Sequence, residues 1–271
     1  MISNLIWVES AILTALLYIF GHDVLHPVWI LPILLGFYVA FAALFMVYLT
    51  VTSLFLNKKV PEHPNPFAKL TVRLTAIWVT RVLGTCLRVK GKKNELPSEP
   101  AIFICNHRSA LDPFFIIRAF RRRRFSILSK DSVRKYPIIG DFMNAAGVVF
   151  IDRDSPIKAL RGLRHAARFI KEDKMDFAVF PEGTRSRTGE LLPFKSGAFV
   201  LAKKTNVPIV ILTMQGAGKA TKYLPFRGPR ITVTVEEILP SEKVEALTAE
   251  ELSDYTYGVM KRSLEQQAAK K

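Results

Sequence analysis

A long uncharged segment near the start of the chain constrains its fold more than any other feature. From Val28 to Leu56 the sequence reads VWILPILLGFYVAFAALFMVYLTVTSLFL and contains no charged residue. As a helix this segment would extend about 43 Å, which exceeds the roughly 30 Å hydrocarbon core of a bilayer. A soluble fold would have to bury all of it, so its length and apolarity favour a membrane-spanning helix over a buried core helix.

A weaker apolar segment, residues 1–20, precedes this one and is interrupted by Glu9. The turn-like sequence GHDVLHP separates the two. Together they predict an N-terminal hydrophobic two-helix membrane anchor over residues 1–57, whose first arm either spans the membrane or lies in its interface. A secretory signal peptide would carry a basic start and a small-residue cleavage site, and neither is present, so we expect the anchor to be retained.

Positive charge begins directly after this anchor. Lys58 is the first Lys or Arg of a chain whose formal net charge is +16. The positive-inside rule therefore predicts a location at the cell membrane with the C-terminal domain on the cytoplasmic face. A basic domain beside a membrane suits anionic membrane lipids or phosphorylated substrates, and no RNP-like run indicates nucleic acid. Cys86 and Cys105 offer neither a disulfide framework nor a metal-ligand spacing, so we expect no metal.

The basic part of the chain divides into a linker and a domain. Residues 58–66 are rich in proline and are predicted to form the linker, and residues 67–271 the domain. Residues 70–91 read LTVRLTAIWVTRVLGTCLRVKG and alternate apolar turns with arginines. This pattern predicts an interfacial helix at the start of the domain, or alternatively a helix packed on the domain with one face in water.

Short apolar runs rich in β-branched residues recur through the domain. They read AIFIC, FSILS, GVVFI, DFAVF, VPIVILTM and ITVTVEEI, and helix-like stretches separate them. Two helices have clear start signals, at Pro156 after Ser155 and at Thr248, which forms a capping-box pattern with Glu251. Alternating strands and helices predict an α/β domain with a mainly parallel sheet flanked by helices.

A histidine and an aspartate follow the first of these runs in the sequence ICNHRSALDPFF. We place His107 in the loop after the strand and Asp112 at the start of the next helix. In one interpretation Asp112 is an ordinary helix cap and His107 a polar loop residue. In the other, the carboxylate fixes the tautomer of the imidazole, which then activates a hydroxyl group as a nucleophile.

Cationic residues follow two further strands. The loop FPEGTRSRTGELLPFKSGAF carries Arg185 and Lys195 and leads towards a helix, which is typical of an anion site, although a solvated loop has the same composition. The run GVVFIDR ends in Arg153. In a parallel sheet these strand ends would open on the same edge as His107.

Four of these stretches, taken in order, resemble the conserved motifs of a known enzyme family. NHRSALD, GVVFIDR, FPEGTRS and VPIV are similar to the four motifs of the 1-acyl-sn-glycerol-3-phosphate acyltransferase family of glycerolipid acyltransferases. The resemblance extends from the anchor to about residue 240. It implies transfer of a fatty acyl group from acyl-CoA or acyl-acyl carrier protein to the 2-hydroxyl of lysophosphatidic acid, giving phosphatidic acid, with no cofactor beyond the thioester co-substrate.

The resemblance also implies roles for individual residues. His107 would be the general base and Asp112 would orient it. Substrate-binding residues would be Asn106, Arg153, Glu182, Gly183, Thr184, Arg185 and Lys195. Three alternatives stay open: glycerol 3-phosphate or another lysophospholipid as acceptor, hydrolysis of the thioester, and a non-catalytic membrane module that binds anionic lipid.

Overall fold

The chain folds into two compact units, Met1–Asn57 and Lys58–Lys271. The structure is a computed structural model and describes residues 8, 10–16, 19, 29–56, 59–152, 155–220 and 228–269. The boundary between the units falls where the uncharged segment gives way to the first lysine.

The first unit contains helix α1, Ile30–Leu54. At about 37 Å it is long and apolar enough to cross a membrane, and it is the one such helix within the described ranges. Its hydroxyl groups bond within the helix: Thr50 Oγ1 donates to the carbonyl of Met46 and Thr52 Oγ1 to that of Tyr48. These bonds leave the polar atoms satisfied in an apolar solvent. Residues 10–16 are helical too, and the rest of the predicted first arm, apart from residues 8 and 19, lies outside the described residues.

The second unit is an α/β domain with seven strands. The strands are β1 Cys86–Gly91, β2 Ile102–Cys105, β3 Phe125–Lys130, β4 Val149–Ile151, β5 Asp176–Val179, β6 Ile209–Gln215 and β7 Arg230–Leu239. The helices are α2 Pro66–Val82, α3 Asp112–Ala119, α4 Ile139–Ala145, α5 Pro156–Lys171, α6 Val200–Thr205, α7 Ser241–Ala246 and α8 Ala249–Ala269. Short 3₁₀ turns cover Asp131–Lys135, Ser196–Ala198 and Ala217–Lys219.

The strand order in the sheet is β1-β7-β6-β2-β5-β3-β4. All neighbours pair in parallel except β6 and β7, so the predicted mainly parallel sheet is confirmed. All six predicted runs form strands. Strand β1 is not among the predicted runs, and it contradicts the prediction of a helix through residue 91. Helix α2 ends at Val82, and Gly84 turns the chain with a φ of 67°. The chain then pairs with β7 as strand β1.

Alternate residues of the central strands supply two separate cores. Ile104 and Ile211 point to the face covered by α5, α6 and α8, whereas Phe103 and Leu212 point to the face covered by α2 and α3. This two-sided burial explains why the central strands contain almost only apolar residues.

The helix at the start of the domain packs on two neighbouring helices. Helix α2 begins at Pro66 with Asn65 as its cap, and it packs on α3 and α4 through Ala76 and other buried residues, which matches the packed alternative. The predicted linker is bound to the domain as well: the amide of Asn144 donates to the carbonyl of Lys59 at 2.8 Å, and Asn65 N donates to the carbonyl of Ala145. Proline excluded regular structure from this segment but not tertiary contacts.

Both predicted helix starts are present. Helix α5 begins at Pro156 as expected, but Ser155, which the sequence suggests as its cap, makes no side-chain cap bond. At α8, Thr248 Oγ1 accepts a bond from Glu251 N at 3.2 Å while Glu251 Oε2 accepts one from Thr248 N at 2.8 Å, which is the predicted capping box.

Candidate active site

The histidine and the aspartate of the first motif are in direct contact. His107 Nδ1 lies 2.8 Å from Asp112 Oδ2. Asp112 is buried, whereas the imidazole side chain keeps 19% of its surface accessible. A carboxylate accepts the proton of Nδ1, so Nε2 is the nitrogen left to accept a proton from another molecule.

Asp112 does not cap the helix that it begins, contrary to the sequence prediction. Helix α3 shows no side-chain cap bond at its start. Instead Asp112 Oδ2 accepts the backbone N–H groups of Arg108 at 2.6 Å and Ser109 at 2.8 Å, in the loop before the helix. One carboxylate oxygen therefore fixes both the loop and the imidazole that the loop carries.

Two further polar side chains fix the loop that carries His107. The amide of Asn106 donates to the carbonyl of Met214 and accepts from Met214 N, at 3.1 and 2.7 Å, so it continues the pairing of β2 with β6. Glu182 accepts the N–H of His107 at 2.6 Å with one oxygen and the N–H of Leu192 at 3.1 Å with the other. Burial raises the pKa of Glu182, and these two backbone bonds partly offset that rise. Both residues thus act on His107 through the backbone.

Strand register explains why two distant motifs meet. Ile104 of β2 pairs with Val179 of β5, so the segments leaving the two strands run side by side. The ring of Phe180 consequently stacks on that of His107, with centroids 4.3 Å apart. Ser186 N also donates to the carbonyl of His107 at 2.9 Å. The strand ends gather at one edge of the sheet, as ligand sites of such sheets do.

An apolar cavity of about 230 Å³ lies behind Phe180. Its lining includes Leu128, Ile151, Ala159, Leu163, Val179 and Ala198, with Gly183 and Lys195 as further members. Gly183 has a φ of 70°, and a Cβ there would lie 3.1 Å from Lys195 Cε. Glycine is therefore required both for the turn and for the close approach of the lysine.

A larger cleft of about 1430 Å³ is lined by another part of the same loop, residues 185–191. Its lining is rich in cations, namely Arg108, Arg185, Arg187, Lys219, Arg230 and Lys261. The predicted substrate cations are thereby separated: Arg185 belongs to this cleft and Lys195 to the apolar cavity. Thr184 directly precedes Arg185 in the sequence and is exposed. Arg153 lies outside the described residues.

Sequence reasoning missed several residues of the site. Arg108 and Phe180 stand inside the quoted motifs, but nothing in the pattern distinguished them from loop and core residues. Lys219, Arg230 and Lys261 come from the 3₁₀ turn after β6, the start of β7 and α8, and no local motif marks them.

Cys105, the last residue of β2, places a thiol two residues before His107. It is fully buried, and burial raises its pKa well above the usual value, with Asp112 and Glu182 contributing. A neutral thiol is a poor nucleophile, so the residue is unsuited to carry an acyl group.

His107, Asp112 and Glu182 fall inside a stretch that matches a protein-family model. Residues 86–215 match the model described as Acyltransferase. This part of the chain belongs to the acyltransferase family. The acyltransferase domain therefore contains both His107 and Asp112, together with the motif around Glu182 and the fourth motif at Pro208.

Named relatives of the acyltransferase domain come from plants and yeast. A 1-acyl-sn-glycerol-3-phosphate acyltransferase from Limnanthes douglasii is 33% identical over 179 residues, which cover 66% of this chain and 61% of that protein. An enzyme of the same name from Saccharomyces cerevisiae is 36% identical over 179 residues, covering 64% of this chain and 57% of that protein. The chain spans about three fifths of the length of these relatives.

A solved structure covers the whole chain. The crystal structure of the 1-acyl-sn-glycerophosphate (LPA) acyltransferase PlsC from Thermotoga maritima matches 99% of this chain and 97% of that one, with a TM-score of 0.61 and 22% sequence identity. The two proteins share their fold.

Proposed function

We propose that this protein is an enzyme that transfers a fatty acyl group from an acyl thioester to the 2-hydroxyl of 1-acyl-sn-glycerol 3-phosphate, giving phosphatidic acid for phospholipid synthesis. The observation that carries the proposal is the His107–Asp112 contact at 2.8 Å. Its neighbours line two pockets: Phe180, which stacks on His107, lines the apolar cavity, and Arg108 lines the cationic cleft. The names of the relatives support the substrate class.

The proposed chemistry follows from the contact between His107 Nδ1 and Asp112, which leaves Nε2 as the base. His107 Nε2 takes the proton of the acceptor hydroxyl as its oxygen attacks the thioester carbonyl. The carbon–sulfur bond then breaks, and the imidazolium returns the proton to the departing thiolate. Asp112 stabilises the positive charge on the ring during this transfer. An acyl-enzyme is not required, because the buried Cys105 is neutral and the acceptor itself supplies the nucleophile.

The phosphate of the acceptor requires cations near this base. Lys195, beside Gly183, is suited to hold it while the apolar cavity takes part of an acyl chain. Arg153 is a second candidate on sequence grounds. Asn106, Glu182 and Gly183 contribute by positioning, since the side chains of Asn106 and Glu182 bond to backbone groups.

A membrane location fits both substrates and product, which are lipids or lipid-bearing. Helix α1 would anchor the chain, and the cations that begin at Lys58 favour a cytoplasmic acyltransferase domain attracted to anionic lipids.

The test uses the full chain purified in detergent micelles. Acyl transfer is measured with 1-acylglycerol 3-phosphate, glycerol 3-phosphate or no acceptor, using acyl-CoA and acyl-acyl carrier protein as donors. We expect phosphatidic acid from the first acceptor, and its loss in His107→Ala with an unchanged fold. His63→Ala is the matched control, because His63 also contacts a carboxylate, that of Asp173 at 3.2 Å, but is exposed. Free fatty acid formed without any acceptor would indicate a hydrolase instead, and binding of anionic lipid without turnover would indicate a non-catalytic module.

A further inference from the structure

The cationic cleft contains more positive charge than the phosphate of the acceptor requires. Among the described residues that line it, six cationic side chains come from five different parts of the fold and two carboxylates, Glu190 and Glu265, accompany them. Within the ranges that the structure describes, none of these six cations has a carboxylate at ion-pair distance. Arg123, by contrast, is paired: it donates to Asp176 with two nitrogens.

Clustered cations without partners repel one another, so their grouping in a concavity favours a polyanionic ligand. A cleft with low-dielectric walls also concentrates the field and raises the local concentration of an anion. We propose that this cleft binds the phosphorylated adenosine portion of coenzyme A, with Lys219, Arg230 and Lys261 holding phosphate groups. This assignment rests on the proposed function, from which the acyl thioester donor is taken. It adds the site at which the coenzyme A part of that donor binds.

An aromatic ring in the same cleft favours a nucleotide over other polyanions. Tyr257 of α8 contributes to the lining, and its ring meets that of Phe194 edge to face at 5.1 Å. A ring held in this way can stack on an adenine base. The concave shape of the cleft also favours a nucleotide. A small nucleotide can enter the cleft, whereas an acidic carrier protein would reach only its rim.

The cleft also leads to the reacting group. Arg108 lines it and directly follows His107, and Ser186, another lining residue, donates its N–H to the carbonyl of His107. The Arg108 guanidinium lies beside Gly189, where a Cβ would be 3.5 Å from its Nη1. A carrier bound here would extend its pantetheine arm along this loop and present the thioester carbon to the hydroxyl that His107 activates.

Direct binding tests the site without depending on turnover. Desulfo-coenzyme A is titrated into the detergent-solubilised full chain by calorimetry, at low and at raised salt. We expect binding that weakens with salt and weakens about tenfold or more in the triple variant Lys219→Gln, Arg230→Gln, Lys261→Gln.

All three side chains are exposed, and the single variants guard against a folding defect in the triple. Arg262→Gln is the matched control: it removes the same charge from an exposed neighbour of Lys261 outside the cleft lining, and should bind as wild type. Equal affinity in the triple variant and wild type, or no binding by wild type, overturns the proposal.

Turnover then assigns the donor. In the triple variant we expect KM for acyl-CoA to rise about tenfold or more, while KM for acyl-pantetheine, which lacks the nucleotide, and for the lipid acceptor stays unchanged. A rise in KM for acyl-acyl carrier protein with no change for acyl-CoA would assign the cleft to a carrier protein and contradict the proposal. If desulfo-coenzyme A binds through these residues but no phosphatidic acid forms, the proposed function fails while the nucleotide site stands.

Discussion

A single oxygen of Asp112 accepts the imidazole Nδ1 of His107 and the two backbone N–H groups that follow it. The three donor distances are 2.8, 2.6 and 2.8 Å. Because the two backbone N–H groups hold this oxygen in place, the carboxylate offers the ring of His107 an acceptor in a fixed position. The pair is therefore preorganised before any substrate arrives.

Replacement of Asp112 by asparagine should remove most of the activity. The side-chain amide cannot serve as the charged acceptor of all three bonds, and the imidazole is no longer held in the Nδ1–H tautomer. We expect kcat to fall by roughly 10³-fold or more, with a smaller effect on KM. Asp173→Asn, which alters the exposed pair with His63, is the matched control and should keep wild-type kcat. A kcat within a few fold of wild type in the Asp112 variant would show that the carboxylate has no part in the reaction.

Gly183→Ala should destabilise the domain more than Gly197→Ala. At Gly183 the φ of 70° strains any L residue, and the new Cβ would approach Lys195 to 3.1 Å, whereas nothing lies within 4 Å of a Cβ at Gly197. The left-handed conformation alone costs about 1–2 kcal/mol. Denaturant unfolding of both variants measures the difference in free energy. Equal stabilities would mean that the turn relaxes freely.

Lys195→Gln should weaken binding of the acceptor and leave the donor unaffected. Its side chain lies beside Gly183 and lines the apolar cavity, whereas Arg185 lines the cationic cleft. We expect KM for 1-acylglycerol 3-phosphate to rise about tenfold and KM for the thioester to stay constant. Lys204→Gln, an exposed lysine of α6, is the control. If both KM values rise together, Lys195 has a general effect on the site.

His165 should make the stability of the domain sensitive to acid. Burial lowers the pKa of its imidazole below the usual 6.5, and the nearby Arg168 lowers it further. Above pH 6.5 the residue is neutral in both states; as pH falls below 6.5, the unfolded chain takes up the proton first, so the free energy of unfolding decreases. We expect the loss of thermal stability between pH 7.5 and about pH 5.5 to be smaller in His165→Gln than in wild type. Identical pH dependence of the two midpoints would exclude this role.

Local sequence patterns were sufficient for the elements around the site. Buried strands are continuous apolar runs, so β2, β5 and β6 and the loops after them could be located without the structure, and the match over residues 86–215 confirms the family resemblance read from the motifs. Capping chemistry is equally local, which is why Thr248 and Glu251 marked the start of α8 correctly.

Strand β1 shows where local patterns fail. Its residues alternate in burial weakly, and among the described strands it pairs with β7 alone, with Cys86 opposite Arg230. Residues 86–91 pair with residues about 140 positions later, and neither segment alone contains a pattern that indicates this pairing. The local pattern therefore predicts a helix there.

The sequence by itself determined the apolar anchor segment, the parallel α/β domain and the proximity of His107 and Asp112, because each depends on neighbours in the chain or on strand order. Only the tertiary structure decided what the charged side chains do. In the folded domain Glu182 accepts two backbone N–H groups, and Asp112 accepts from the loop before α3 and does not cap that helix. Lys195 and Arg185 line different pockets. The direction of a side chain that leaves a loop depends on the packing of elements remote in sequence, and composition contains no record of that packing.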